Sequence, residues 1–239
     1  MLWMLYKPGS DVYVDFLLNK VYDAFVLRNL TVDFESGAAR VYNVGVWCVQ
    51  GDTIHVGPSQ TDPTTCMPFA GEKEIADLVV FPCGFMTAEK HGVTHDVRHE
   101  QLVKRGKMFF HLMKGVQYMS FDGKSADWPP RTYRGRVMVD MAEYAREHDD
   151  GTELASDVEM SNVVTPRCGC PNCMDLSRKR SQARIQFAGY SNINPLITEA
   201  LSEHQNFLCG RSVKAYILKH RKWSKKAILR ISRCSKVKH

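Results

Sequence analysis

Polar and apolar residues alternate in short runs along residues 1–90. A strand with one buried face shows this period of two, because successive side chains point to opposite sides of a sheet. Asp11-Val-Tyr-Val-Asp-Phe16 alternates in this way after the turn signal Pro8-Gly9. Phe25–Phe34 repeats the alternation loosely. Arg40–Val49 does so again, with Val41, Asn43 and Gly45 on one side and Tyr42, Val44 and Val46 on the other. Gly51-Asp52 breaks the run before Thr53–Val56, and Gly57–Pro68 is expected as a turn-rich loop. Ile75–Phe81 is apolar enough for a central strand, which Pro82 ends.

The period then changes. Thr94 is an N-cap candidate, and Asp96 and Glu100 lie where the helix dipole favours negative charge. Val97, Leu102, Val103, Phe109, Phe110 and Met113 recur at helical spacing and are expected to face a sheet, with Gly115 as the stop. The pattern predicts one main helix over about 94–114. Val116–Phe121 reads as a strand, Asp122-Gly123 as a hairpin turn, Tyr133–Met141 as a buried strand and Ala142–Arg146 as a short helical or irregular exit. The fold class predicted is α+β. Its first part is a β-rich, small barrel or sandwich-like sheet with the helix packed on it.

After residue 146 the pattern weakens. His148–Ser161 is polar and acidic, as a linker or excursion would be. Ile193–Leu201 is expected as a short helix after Pro195, and Val213–Leu218 as a last strand. Three parts follow: a β-rich accessory domain over 1–146, a linker or insertion with a cysteine cluster over 147–206, and a returning strand with a basic tail over 207–239.

Charge sharpens that division. The chain has 239 residues and a formal net charge of +6, but 11 of its 32 basic residues and none of its 26 acidic ones lie from Arg211 onward. The body is therefore mildly acidic and the end strongly basic, which allows a nucleic-acid arm. Lys219, Arg221, Lys222, Lys225, Lys226 and Arg230 would meet phosphates in that reading. No apolar run reaches the roughly 20 residues of a membrane span. Eight cysteines with only three clustered do not make a secreted disulfide scaffold, and an intracellular, reducing compartment is expected.

The candidate chemistry is sparse. Gly123-Lys124-Ser125 imitates the end of a phosphate-binding loop, but Tyr118 stands where its first glycine belongs. His91, His95 and His99 are four apart, and on a helix His95 and His99 have zinc-compatible spacing, with Gly92 setting His91 apart; solvent-facing histidines on a first helical turn explain them more simply. Asp140 reads as a strand-end cap. Cys168-Gly-Cys-Pro-Asn-Cys173 is the sharpest signal: three thiols in one loop could hold a structural zinc ion as thiolates. Cys168, Cys170 and Cys173 would be joined by Cys209, with His204 as the other source of a fourth ligand. No nucleophile elbow, dinucleotide fingerprint or kinase set occurs, so an enzyme is not expected.

The order of several short motifs resembles one family. Leu2-Trp3-x-Leu5-Tyr6-Lys7-Pro8-Gly9 is followed by Phe69-x-Gly71, Leu78-Val-Val-Phe81-Pro82, Leu102-x-x-Arg105-Gly106-x-x-Phe109, Tyr118-x-x-Phe121-x-Gly123 and Gly135-Arg-Val-Met-Val-Asp140. Val213-x-Ala-Tyr-x-Leu218 and Arg221-Lys222-Trp223 continue it. This is similar to the domain of unknown function that precedes the ATPase core in a group of fungal AAA+ ATPases. The resemblance implies a non-catalytic accessory or adaptor domain whose partners are a protein client or the AAA+ core. Phosphate-binding loop, Walker-B acid and arginine finger belong to that core, which the resemblance places downstream, so hydrolysis is not carried over. Two other readings stand beside it: a nucleic-acid-binding module using the basic tail, and a zinc-stabilised interaction protein.

Overall fold

In a computed structural model, the described residues form two antiparallel sheets and one main helix. It describes residues 5–15, 21–34, 40–52, 54–62, 64–66, 69, 71–124, 132–141, 143–144, 153–155, 187, 190–218, 222–230 and 234–236. The chain divides into two compact units, each drawn from three separate stretches. The first holds Met1–Cys48, Gly57–Arg98 and Leu154–Asn192, and the second holds Val49–Val56, His99–Glu153 and Ile193–His239. The result is the β-dominated α+β class that the alternating pattern predicts.

The first sheet contains β1 (Asp11–Val14), β2 (Asp23–Phe34), β3 (Arg40–Gly51), β4 (Val56–Gln60), β5 (Thr64–Cys66) and β6 (Val80–Pro82). Its order is β4-β3-β2-β1-β6, with β5 also paired to β3. Val12, Tyr13 and Val14 are fully buried in β1, between β2 and β6. Beside them on β6, Phe81 meets the Tyr13 ring at 5.9 Å and the Tyr22 ring at 5.6 Å. The Tyr6 hydroxyl donates to Val80 O at 2.8 Å and ties the segment before β1 to β6.

Two expectations for this sheet are corrected. Gly57–Pro68 is not a loop, because β4 and β5 lie in it. Pro58 is tolerated at the edge, where it needs no N–H and its carbonyl accepts from Ala155 N at 2.7 Å. Ile75–Phe81 is not a central strand. Ile75–Asp77 is a tight 3₁₀ turn, and β6 is a three-residue edge strand that ends on Pro82, as a residue without an N–H should.

A short helix, α1 (Ala88–His91), precedes the main helix α2 (His95–Leu112). Gly92 ends α1 in the left-handed region at φ 74°. Thr94 caps α2, its hydroxyl accepting from Val97 N at 3.4 Å. Leu102, Phe109, Phe110 and Met113 are buried as expected, but Val97 is exposed. It sits in the first turn, off the buried stripe.

The second sheet is ordered β10-β9-β8-β7-β11 from β7 (Gln117–Lys124), β8 (Thr132–Val139), β9 (Ser212–Ile217), β10 (Lys222–Arg230) and β11 (Cys234–Lys236). Met119, Phe121, Val137, Val139, Val213, Ala215 and Ile217 alternate inward and form its core. Asp122-Gly123 is not the hairpin turn: Asp122 pairs with Arg134 and Gly123 with Tyr133 inside the ladder. The first half of β8 is largely exposed, so the expected buried strand is buried only towards Val139. Asp140 caps the exit, its carboxylate accepting from Glu143 N at 2.9 Å. Ile193–Leu201 is not a helix. The helix there is α3 (Glu203–Leu208), started by a capping box between Ser202 and Gln205. The basic tail is also more than a tail, since β10 pairs with β9 and β11 with β7.

Candidate functional site

Around Gly45 the first sheet is irregular on both sides. β2 pairs Leu27 with Val46 and Asn29 with Gly45, so Arg28 is the extra residue of a β-bulge. On the opposite edge, β5 pairs Thr64 with Val44, while Thr61 N donates to Val46 O at 3.2 Å. Three residue steps there span two on β3. Bulges re-aim side chains, and a glycine within a strand leaves room for a close approach. Both effects operate here. The Asn29 carboxamide lies in the space that a side chain on Gly45 would fill.

The outcome is a polar cleft of about 330 Å³. Arg28, Asn29 and Thr31 line it from β2, Asn43 and Gly45 from β3, and Gln60, Thr61 and Asp62 from the end of β4. Arg28 Nη1 donates to the Gln60 side-chain oxygen, from β2 to β4, with β3 between them. Thr65 Oγ1 donates to Asn43 Oδ1 at 3.2 Å. Asn43, Gly45 and Trp47 share one face of β3 by the strand period. At Trp47 that face is buried, with the Phe187 ring at 5.7 Å and the Tyr190 ring at 5.2 Å. Towards Asn43 it opens into the cleft. Sequence reasoning missed this site. Its signal was a glycine and polar side chains on alternate positions of two otherwise apolar strands.

The second unit presents a different feature. Pro195-Leu-Ile197 forms a turn in which Pro195 is buried but Leu196 and Ile197 are 71% and 85% exposed. The turn is held firmly. Asn194 Oδ1 accepts from Leu196 N at 2.9 Å and Asn194 O from Thr198 N at 3.1 Å. Ile193 exchanges two backbone bonds with Val56, and Lys114 Nζ donates to Glu199 O at 2.7 Å.

The residues singled out from sequence fall in several places. Cys168, Cys170 and Cys173 lie outside the described residues, as do Lys219 and Arg221. Lys222, Lys225, Lys226 and Arg230 lie on β10. Cys209 is 1% exposed at the end of α3, where its carbonyl accepts from Arg105 Nη2 at 2.7 Å. His204 is exposed and stacks on Phe207. Among the described residues no three His, Cys, Asp or Glu side chains are grouped to hold a metal ion.

The histidine trio is corrected. His91 is only 8% exposed, stacked on Phe81 at 4.8 Å, with Nε2 bonded to Ala76 O and Nδ1 at Thr87. His95 Nδ1 meets the Tyr13 hydroxyl at 3.1 Å, and His99 lies against Phe207 at 4.6 Å. They are separate packing elements rather than solvent-facing side chains. Burial pushes the Tyr13 phenol and the Cys83 thiol beside it well above their ordinary ranges, and does the same to Tyr6. Groups held protonated in this way are inert as nucleophiles or bases.

Residues 1–87 match a domain of unknown function (DUF7025). No curated protein and no solved structure matches the chain. The DUF7025 stretch contains β1 to β6 and every described residue that lines the cleft. The turn at 195–197 lies outside it.

Proposed function

We propose that the chain is a non-catalytic recognition module that docks on another protein. By its resemblance to the domains that precede AAA+ cores, the partner is an AAA+ ATPase or the client it processes. The observation that carries this reading is the Pro195-Leu-Ile197 turn, which is fixed by hydrogen bonds at both ends yet holds two large aliphatic side chains in water. Exposing them costs solvation free energy, and a rigid turn loses little entropy when a partner covers it. The ionisable groups displaced by burial support a non-catalytic role, because each is driven towards its neutral form.

The test is capture from cells of the source organism. The immobilised chain should retain an AAA+ ATPase, identified by mass spectrometry. A Leu196→Ser/Ile197→Ser double variant with unchanged melting should bind that ATPase about tenfold or more weakly, as loss of interface hot spots does. Equal retention by the variant, or a captured set with no such ATPase, would count against the reading.

A further inference from the structure

We propose that the cleft on the first sheet binds a small zwitterion, a ligand with a carboxylate beside a cationic amine, as in a free α-amino acid. The inference stands apart from the docking turn, since it uses other residues and another unit.

Arg28 carries it. A guanidinium stays charged at any physiological pH, and its fork of donors fits a carboxylate. Its partner here is the neutral Gln60 carboxamide, which satisfies a hydrogen bond and leaves the charge uncompensated. Asp62 lines the same cleft with the opposite charge, and among the described residues the two do not form an ion pair. One cleft thus offers both a cation and an anion, together with the carboxamides of Asn29 and Asn43 and the Thr61 hydroxyl.

Rival ligands use these groups less well. A phosphate dianion would be attracted by Arg28 and repelled by Asp62. A bare amine would meet the reverse. A neutral sugar would leave both charges idle, and among the described residues no aromatic ring lines the cleft for it to stack on. A zwitterion answers both charges at once. A cleft of about 330 Å³ suits a molecule of that size, being at the small end of ligand sites. Gly45 leaves room on the floor for the Asn29 carboxamide, which lies where a side chain would stand.

Calorimetric titration of the full chain tests this with each of the twenty common amino acids in turn, and with acetate, methylammonium, inorganic phosphate and N-acetylglucosamine. At least one amino acid should bind saturably, and acetate or methylammonium alone at least tenfold more weakly. Arg28→Gln and Asp62→Asn should each weaken the amino acid about tenfold or more with unchanged melting. Gly45→Ala, which displaces the Asn29 carboxamide, should weaken it with no loss of fold. The proposal fails if no amino acid binds, if phosphate or the sugar binds more tightly, or if Arg28→Gln binds like the parent.

Discussion

His91 illustrates how little a single residue type says by itself. Its four-residue spacing from His95 reads from sequence as a solvent-facing histidine near a helix start. What decides its place is Phe81, ten residues earlier on β6, whose ring stacks on the imidazole while Tyr22 meets its edge at 5.0 Å. Cys83 is similar. It lies beside Tyr13, and burial holds both groups protonated. This has a consequence for pH. An unfolded thiol loses its proton near pH ~8.5 and an unfolded phenol near ~10. The folded chain keeps those protons, so the unfolded state binds fewer and stability falls as pH rises. The stabilisation from Cys83 is therefore complete below about pH 8 and drains away above it. Denaturant midpoints should stay level to about pH 8 and decline by pH 10, with a shallower decline in Cys83→Ala. A midpoint unchanged over that span would show that these groups ionise alike in both states.

At the scale of elements, the main helix was legible from the sequence because its signals are local. Cap, apolar period and stop lie within one stretch, and only Val97 was assigned to the wrong side. The strand at Val56–Gln60 was not legible, because Gly57, Pro58 and Ser59 are turn residues by propensity. They are buried at an edge where Pro58 accepts from Ala155, a partner remote in sequence. The meaning of Arg105-Gly106 was hidden for the same reason. Gly106 faces α3 so closely that a side chain would collide with the Asn206 backbone, and Arg105 donates to Cys209 O beside it. Glycine within an exposed helix costs about 1 kcal/mol relative to alanine, so Gly106→Ala in a free helix would stabilise. Here it should destabilise by about 1–3 kcal/mol, the usual penalty for overfilling a packed site. The sign in urea unfolding separates the two accounts, and a gain in stability would mean that α2 and α3 do not meet at Gly106.

Across the whole chain, the least legible property was which distant stretches belong together. Charge made residues 207–239 read as a returning strand and a tail, since basic residues dominate there. In the second sheet that stretch supplies three of five strands, and β9 holds only two residue pairs with β8 against five with β10. The pairing of β10 is interrupted between Trp223 and Ile228, a shift that no local pattern announces. A basic segment free to grip nucleic acid and a basic strand built into a sheet predict different results for a chain ending at Arg221. If the segment were a free arm, its removal would abolish salt-sensitive nucleic-acid binding and leave amide exchange elsewhere untouched. As a strand, its removal strips β9 of most of its backbone partners and β7 of β11. Amide protection at Val213, Lys214 and Tyr216 should then fall at least tenfold in hydrogen exchange, because local opening no longer has to break the β10 ladder. Full protection of β9 in the shortened chain would return residues 222–236 to the status of an appendage.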